Sequence, residues 1–331
     1  MRYAYPPYIA SGNKFTLRLP MPHLTILMAT YNGGKFIEAQ LDSLRAQSYA
    51  DWRLWIRDDG SVDDTVEIAR RCAALDERIR LLPSDGRRLG AAMSFFGLME
   101  RFTATSAYLM FCDQDDVWLP DKIEVTLTKM HEMEQRFGAQ TPILVHTNLS
   151  VANRELNVVA PSFWRYQGLN PKIKSLNRLL VQNNVTGCTA MVNQALALLA
   201  GQAPPHAIMH DWWLALTAAA FGEIGHVART TMLYRQHGGN DIGAKRYPIA
   251  QVPLHLKGGV APMRASLLRT QRQAAALLAR HAAALNPSQR LLLEKYAGLA
   301  ENNFFMRRWL VFRLGMFMNG LLRNLGMVVA L

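Results

Sequence analysis

The chain has 331 residues, of which half are apolar and 19% are charged. This balance supports a sizeable core and excludes an intrinsically disordered chain, and the length allows one large α/β domain with an extension. Three scattered cysteines, Cys72, Cys112 and Cys188, are too few for a disulfide framework or a cysteine-based zinc site. They favour a reducing, cytoplasmic setting.

The net charge of +12 is concentrated towards the C-terminal end. From residue 250 onward there are eleven Lys and Arg residues but only two acidic ones, Glu294 and Glu301, so this segment holds nine of the twelve net charges. A nucleic-acid-binding protein without catalytic activity is the alternative class that such basicity suggests. In a nucleic-acid-binding protein, Lys and Arg residues are distributed over a binding face beside accessible aromatic residues. Here the net positive charge is concentrated in one segment, so we expect no nucleic-acid partner.

Residues 1–20 lack the continuous apolar stretch of a secretory signal, and residues 1–22 are predicted to form a disordered leader. A second interpretation takes Met21 as the true start. The sequence contains no run of the ~18–20 uncharged apolar residues that a membrane-spanning helix requires.

Residues 24–147 alternate between strand and helix patterns, which predicts a doubly wound, mostly parallel sheet flanked by helices. The predicted strands are Leu24–Ala29, Trp52–Ile56, Ile79–Leu82, Tyr108–Cys112 and Ile143–Thr147. Beyond residue 150 the alternation weakens. There the patterns predict strands at Asn183–Val192 and Thr230–Tyr234, a helix at His210–Phe221, and further helices near 262–284 and 287–300.

Polar clusters follow three of the predicted strands: Tyr31-Asn32, Asp58-Asp59 and Asp113–Asp116. Open α/β sheets bind ligands outside the carboxyl ends of their strands, so these clusters mark the expected site. The sequence has no G-x-G dinucleotide fingerprint, no complete P-loop, no H-E-x-x-H and no G-x-S-x-G. A diphosphate in this crevice would therefore need another partner, and a metal ion held by carboxylates is the obvious candidate.

The cluster Asp113-Gln114-Asp115-Asp116 is suited to that role, because in an extended strand end Asp113 and Asp115 project to the same side. Carboxylate oxygens are the ligands that Mg²⁺ and Mn²⁺ prefer. A solvated acidic turn before a helix at Asp121 is the competing interpretation. Asp58 and Asp59 likewise either accept hydrogen bonds from a base or ribose, or simply form a turn.

Three segments together resemble glycosyltransferase family 2 of the GT-A fold, and most closely its bacterial rhamnosyltransferase-like branch. They are residues 25–33 (TILMATYNG), 57–61 (RDDGS) and 112–118 (CDQDDVW), and residues 89–95 (LGAAMSF) add a match to that branch. The resemblance covers roughly residues 23–245, plus residues 320–326. It implies a catalytic domain over residues 23–247 and a basic helical C-terminal extension over residues 248–331.

The resemblance also implies roles for individual residues. Those expected to bind the nucleotide-sugar are Ala29, Thr30, Tyr31, Asp58, Asp59, Arg88, Asp113 and Gln114. Asp113 and Asp115 match the D-x-D motif that holds a divalent ion, Mg²⁺ or Mn²⁺, on the diphosphate. His237 lies where relatives supply a further metal ligand.

Asp211 is the expected catalytic base, because it opens a helix late in the domain as the base does in inverting relatives. An ordinary helix N-cap is the competing interpretation. The adjacent Trp212 is expected to contact the acceptor or the sugar, or else to lie in the core. The implied reaction is inverting transfer of a sugar, best matched by L-rhamnose from dTDP-L-rhamnose with a UDP-hexose as the alternative donor. A nucleotidyltransferase shares such carboxylate–metal chemistry but usually brings a Gly-rich basic loop, which is absent here.

Residues 308–326 show the pattern of one basic amphipathic helix. The apolar face consists of Leu310, Val311, Leu314, Phe317, Met318, Leu321, Leu322 and Leu325. Such a helix is typical of a membrane interface with anionic lipid, or else packs on the catalytic domain. We therefore expect a cytoplasmic protein at the inner face of the plasma membrane that uses a lipid-linked oligosaccharide acceptor in surface polysaccharide synthesis (O-antigen, capsule or exopolysaccharide).

Overall fold

The computed structural model describes residues 24–238, 243–244 and 260–331. The predicted leader and the predicted boundary between residues 247 and 248 lie outside these described residues. The strands of the described part are β1 (Leu24–Thr30), β2 (Trp52–Asp58), β3 (Ile79–Leu81), β4 (Tyr108–Cys112), β5 (Val117–Trp118), β6 (Ile143–Ala152), β7 (Val158–Ala160), β8 (Ala190–Asn193) and β9 (Glu223–Arg235).

The helices divide into a first group within the sheet domain and a second group after residue 260. The first group is α1 (Ile37–Arg45), α2 (Thr65–Leu75), α3 (Gly90–Phe102), α4 (Lys122–Phe137), α5 (Phe163–Gln167), α6 (Leu176–Val181), α7 (Gln194–Ala200) and α8 (His210–Phe221). The second group is α9 (Ala261–His281), α10 (Pro287–Ala297), α11 (Phe304–Arg313) and α12 (Leu321–Ala330). In the described ranges none of these helices combines the length and the apolar character needed to cross a membrane.

The strands form one mixed sheet in the order β3-β2-β1-β4-β8-β6-β9-β5, with β7 paired to β6. The strands β1 to β4 run parallel to one another, which confirms the doubly wound prediction for the first half of the domain. Strand β8 is antiparallel to both β4 and β6, and β5 is antiparallel to β9. The antiparallel strands thus come largely from the part of the sequence where the alternation weakens.

Helices cover both faces of this sheet. Alternate side chains of β1 point to opposite faces, with Leu24, Ile26 and Met28 on one side and Leu27 on the other. The first face is covered by α1, α2 and α4, and the second by α3, α6, α7 and α8. The four C-terminal helices extend the core on the second face.

The parallel register brings three loops to one edge of the sheet. Thr30 pairs with Asp58 across β1 and β2, and Met28 pairs with Cys112 across β1 and β4. The chain therefore leaves β1, β2 and β4 at neighbouring points, as the sequence predicts for a ligand-binding edge.

The prediction of one amphipathic helix over residues 308–326 is wrong. Helix α11 ends at Arg313 and α12 begins at Leu321, with Gly315 and Gly320 between them at φ values of 63° and 87°. This left-handed conformation favours glycine and ends a right-handed helix. Leu310 and Val311 of the predicted apolar face are buried in the protein core.

The predicted strand at Asn183–Val192 is also wrong over most of its length. Only Ala190–Asn193 forms a strand, and a 3₁₀ turn at Gly187–Thr189 precedes it. The Asn183 side chain bonds both the N–H and the carbonyl of Val185, which replaces ladder hydrogen bonds with a local turn.

Candidate active site

The loop after β1 is fixed by a side chain that comes from the loop after β4. Gln114 accepts a hydrogen bond from the Tyr31 N–H and donates one to the Tyr31 carbonyl, both at 2.9 Å. Gly33 permits this approach, because a Cβ at that position would overlap with Oε1 of Gln114. Gln114 therefore connects the acidic loop to the expected nucleobase pocket.

An exposed aromatic ring and a cation lie at this edge. The Arg88 guanidinium lies 4.0 Å from the centre of the Tyr31 ring, which is a cation–π contact. Ala29 is half-buried just before them, and the buried Thr30 hydroxyl donates to Asp58 at 2.9 Å. The residues predicted to line the nucleobase and ribose pocket are thus brought together.

The two carboxylates after β2 are hydrogen-bonded by the protein itself. Asp58 accepts from the N–H groups of Gly60 and Ser61, at 3.0 and 2.8 Å, as well as from the hydroxyls of Thr30 and Ser61. These bonds close the turn around Gly60, whose φ of 87° requires glycine. Asp58 consequently shapes the loop beneath the pocket.

Asp59 is buried and holds the start of α3. Its carboxylate accepts from the Leu89 N–H at 2.6 Å, the Gly90 N–H at 2.7 Å and the Arg57 guanidinium at 2.6 Å. Burial raises the pKa of Asp59, but the bonds from Leu89, Arg57 and Gly90 outweigh it and hold the pKa below its usual range. Asp59 therefore positions the segment that carries Arg88, and its binding of the base stays a prediction.

Arg57 is a residue whose role the sequence did not reveal. Besides Asp59, its guanidinium bonds the Ser94 hydroxyl at 2.9 Å, Asp85 at 3.1 Å and the Arg87 carbonyl at 2.8 Å. The only indication of this role in the sequence is the position of the arginine directly before an acidic pair. Its planar fork of donors suits it to join several acceptors at once.

The loop after β4 forms the acidic centre of the site. Asp113, Asp116 and Cys188 each have one potential ligand atom within 4.8 Å of the others. Asp116 is fully buried, and its Oδ1 accepts from the Arg235 N–H at 3.0 Å. Burial, and then the charges of Asp115 and Asp113, raise the pKa of Asp116 well above its usual range.

This cluster fits a divalent cation. Within the described ranges the second carboxylate oxygen of Asp116 is buried and has no N–H or O–H donor. A buried carboxylate oxygen without a donor is costly unless a proton or a cation compensates it. Burial raises the pKa of the Cys188 thiol as well, so it lies here as a neutral, weak donor to Asp116.

Asp115 and His237, both predicted metal ligands, contact each other. Oδ2 of Asp115 lies 2.6 Å from Nε2 of His237, whose ring packs 4.4 Å from that of Phe36. Arg235 donates to the Asp115 carbonyl at 2.7 Å and so fixes the backbone of the acidic loop. The end of β9 is thereby attached to the loop after β4, and the metal assignment of Asp113, Asp115 and His237 stays a prediction.

Asp211 opens α8, which the structure places where the sequence predicts it. Removal of water raises the pKa of Asp211 to about 6, although backbone N–H groups of Trp212 and Gly187 bond the carboxylate. A carboxyl group with this pKa is largely ionised at neutral pH yet more basic than an exposed aspartate. It is therefore suited to accept a proton.

Two consecutive residues connect Asp211 to the acidic cluster. The Gly187 N–H bonds Asp211, and the next residue, Cys188, lies beside Asp113 and Asp116. A Cβ at Gly187 would lie 2.7 Å from Nε2 of His210, a buried ring packed between Phe95 and Phe111. Asp211 and the acidic cluster are thus contacted by adjacent residues.

Trp212, the predicted contact for the acceptor or sugar, packs against the core. Its indole N–H donates to the Leu179 carbonyl at 2.7 Å, and the ring is half-buried. The contact seen in the structure is therefore the core packing that the sequence left open as an alternative.

Comparison with solved structures supports the fold. TarS 1–349 of S. aureus, solved in complex with UDP-GlcNAc, matches with a TM-score of 0.53 and 14% sequence identity over 92% of this chain and 90% of that chain. The identity is low, so the match concerns the fold alone. The chain has the GT-A fold, as predicted.

Sequence comparison identifies relatives among bacterial enzymes. The dTDP-rhamnosyl transferase RfbG of Shigella flexneri is 29% identical over 66% of this chain and 74% of its own length. The glucosyltransferase WfgD of Escherichia coli, described as a UDP-Glc:alpha-D-GlcNAc-diphosphoundecaprenol beta-1,3-glucosyltransferase, is 32% identical over 32% of this chain and 40% of its own length. The family model "Glycosyl transferase family 2" matches residues 25–197, more than half of the chain. The chain therefore belongs to glycosyltransferase family 2.

Proposed function

We propose that this glycosyltransferase is a metal-dependent, inverting hexosyltransferase that uses a nucleoside diphosphate-sugar. The observation that carries the proposal is a pair of adjacent residues: the Gly187 N–H bonds Asp211, and the Cys188 thiol lies beside Asp113 and Asp116. A base next to a diphosphate-binding centre is the arrangement that direct displacement at an anomeric carbon requires.

In the proposed reaction Asp211 accepts the proton of an acceptor hydroxyl. The acceptor oxygen forms a bond to the anomeric carbon while the bond from that carbon to the diphosphate oxygen breaks, so the nucleoside diphosphate leaves and the configuration inverts. Asp113 and Asp116, or Asp115 with His237, would hold Mg²⁺ or Mn²⁺, which when bound stabilises the negative charge of the departing diphosphate. Tyr31, Gln114 and Arg88 orient the nucleotide.

For the donor we propose dTDP-L-rhamnose, with a UDP-hexose as the alternative. The first is supported by the similarity to RfbG, named as a dTDP-rhamnosyl transferase, and the second by the similarity to WfgD, named as a UDP-glucose enzyme. The acceptor given in the name of WfgD is a diphosphoundecaprenol-linked sugar, which supports a lipid-linked oligosaccharide acceptor in bacterial surface polysaccharide synthesis. Such an acceptor would bring the enzyme to the inner face of the plasma membrane.

The substitution Asp211→Asn tests the proposed base. We expect the turnover number to fall by about 10²–10⁴-fold while donor affinity changes little, because the amide cannot accept the proton. In the wild-type enzyme, kcat/KM should fall about tenfold per pH unit below a pKa of about 6, since the protonated carboxyl is inactive. Asp64→Asn, at the exposed start of α2, is the matched control and should leave both quantities unchanged.

Turnover would be measured with dTDP-, UDP- and GDP-sugars and Mg²⁺ or Mn²⁺, and donor affinity by calorimetry. Near-normal turnover of Asp211→Asn with the donor bound would remove Asp211 as the base. Binding of UDP-sugars alone would replace rhamnose by a hexose and leave the rest of the proposal standing.

A further inference from the structure

Helix α11 has one buried side and one exposed aromatic side. Leu310 and Val311 pack into the core, whereas four aromatic side chains are each more than half exposed and together form what we call the aromatic face: Phe304, Phe305, Trp309 and Phe312. Phe305, Trp309 and Phe312 are spaced by four and three residues, which places them on one side of the helix. This side is not the apolar face that the sequence predicts for a helix over residues 308–326.

The aromatic face is ordered by its own contacts. Phe304 and Phe305 meet edge to face with ring centres 5.3 Å apart, and Phe312 meets Phe317 at 5.5 Å. The Arg308 guanidinium lies 3.4 Å from the centre of the Phe304 ring. These contacts organise the rings without covering them.

Helix α12 repeats the arrangement with aliphatic side chains. Met327 and Ala330 are buried, while Leu321, Leu325 and Val329 recur every four residues and are more than half exposed. Both helices that end the chain thus present apolar side chains to solvent. Exposed apolar side chains grouped on one side of a helix are typical of an interaction site.

The charge around these helices is strongly positive. Over the described residues 260–331 there are ten Lys and Arg residues, against Glu294 and Glu301 as the acidic ones. Arg313 is exposed at the end of the aromatic face, and Arg308 lies on it. A basic surface of this kind attracts an anionic partner and repels a second copy of itself.

We propose that the aromatic face of α11 is a docking surface for an anionic lipid leaflet. Phe and Trp beside Arg form the composition that inserts at the boundary between lipid headgroups and acyl chains, where rings enter the apolar layer and guanidinium groups meet phosphates. The inference rests on the proposed function, because a lipid-linked acceptor would be presented at such a leaflet. Beyond the proposed function, the inference identifies the surface that faces the lipid.

The test compares binding of the full chain to vesicles of phosphatidylcholine with and without phosphatidylglycerol. The triple variant Phe305→Ser, Trp309→Ser, Phe312→Ser should bind the anionic vesicles at least about tenfold more weakly, since three large apolar side chains no longer enter the interface. The double variant Leu75→Ser, Leu198→Ser removes exposed apolar side chains from α2 and α7 and should bind as the wild type does. High salt should weaken wild-type binding.

Three results would overturn the proposal. They are no wild-type binding to anionic vesicles, unchanged binding of a triple variant that melts at the wild-type temperature, and a wild-type dimer in solution that the triple variant abolishes. The last result would assign the face to a second copy of the chain.

Donor hydrolysis without vesicles separates this proposal from the enzymatic one. The triple variant should hydrolyse the nucleotide-sugar at the wild-type rate, because its substitutions lie outside the site. A chain that binds vesicles but neither hydrolyses the nucleotide-sugar nor transfers its sugar would refute the proposed function. The proposal of a docking surface would remain intact.

Discussion

The acidic residues after β2 and those after β4 look alike in the sequence but differ in the structure. Asp59 receives donors from two backbone N–H groups and from Arg57, and its pKa is lowered. Asp116 receives the Arg235 N–H on one oxygen, while the other has no N–H or O–H donor in the described part of the chain, and its pKa is raised. The Asp59 carboxylate is satisfied by donors of the protein, whereas one oxygen of the Asp116 carboxylate is not satisfied by the described residues.

This difference separates two uses of acidic residues at strand ends. A carboxylate with a full set of donors fixes a loop and gains nothing from a cation. A buried carboxylate oxygen without such a donor, like the second oxygen of Asp116 among the described residues, is costly, and a divalent cation offsets that cost. Three substitutions in these two loops test the distinction.

The largest expected effect is a loss of stability in Asp59→Asn. Removing the buried charge beside Arg57 should lower the free energy of unfolding by about 3–5 kcal/mol. Because the folded-state pKa of Asp59 is lowered, its contribution is present at neutral pH and is lost as the pH falls through that lowered pKa. Urea unfolding at pH 7.5 and at acidic pH measures both effects, and an unchanged stability at pH 7.5 would contradict the assignment.

The next effect is on metal affinity in Asp113→Asn. Replacing one charged oxygen ligand by an amide should weaken Mn²⁺ binding by about a hundredfold, close to 3 kcal/mol, while the melting temperature without metal stays near that of the wild type. Electron paramagnetic resonance of free Mn²⁺ measures the affinity directly. Asp58→Asn is the matched control, and equal losses of Mn²⁺ affinity in the two variants would contradict the proposed difference between the loops.

The smallest effect, with the opposite sign, is expected for Asp116→Asn in the presence of a chelator. The amide keeps an acceptor for the Arg235 N–H but removes a buried charge, so stability at pH 7.5 should rise by about 1 kcal/mol. Since the folded-state pKa of Asp116 is raised, the wild type regains this stability as the pH falls through that pKa, and the difference should vanish near pH 4. A destabilised variant at pH 7.5 would show that the charge is already compensated.

Local patterns were sufficient to predict the strands that define the site. The apolar runs before Tyr31, Asp58 and Asp113 end where the parallel strands end. A buried parallel strand is apolar along its whole length, whereas the loop that follows it is polar. Helix α8 was predicted with the bounds that the structure has, whereas the role of Asp211 was implied by the family resemblance. The GT-A fold was implied by the resemblance of these segments, in this order, to glycosyltransferase family 2.

Contacts between distant segments could not be read from the sequence. The roles of Arg57 and Cys188 depend on partners that the fold brings near, such as Ser94 and Asp116. The tail was mispredicted because its hydrophobic period continues through Gly315 and Gly320, whose left-handed backbone ends the helix. Those two glycines were the available signal.

The contacts of Gly187 and Cys188 limit how this enzyme can be altered. The Gly187 N–H bonds Asp211, and the side chain of the next residue, Cys188, lies beside Asp113 and Asp116, so a displacement of either residue shifts its neighbour. Under the proposed function, reshaping the surroundings of Asp211 to change the acceptor preference would therefore also displace the residues proposed to hold the diphosphate.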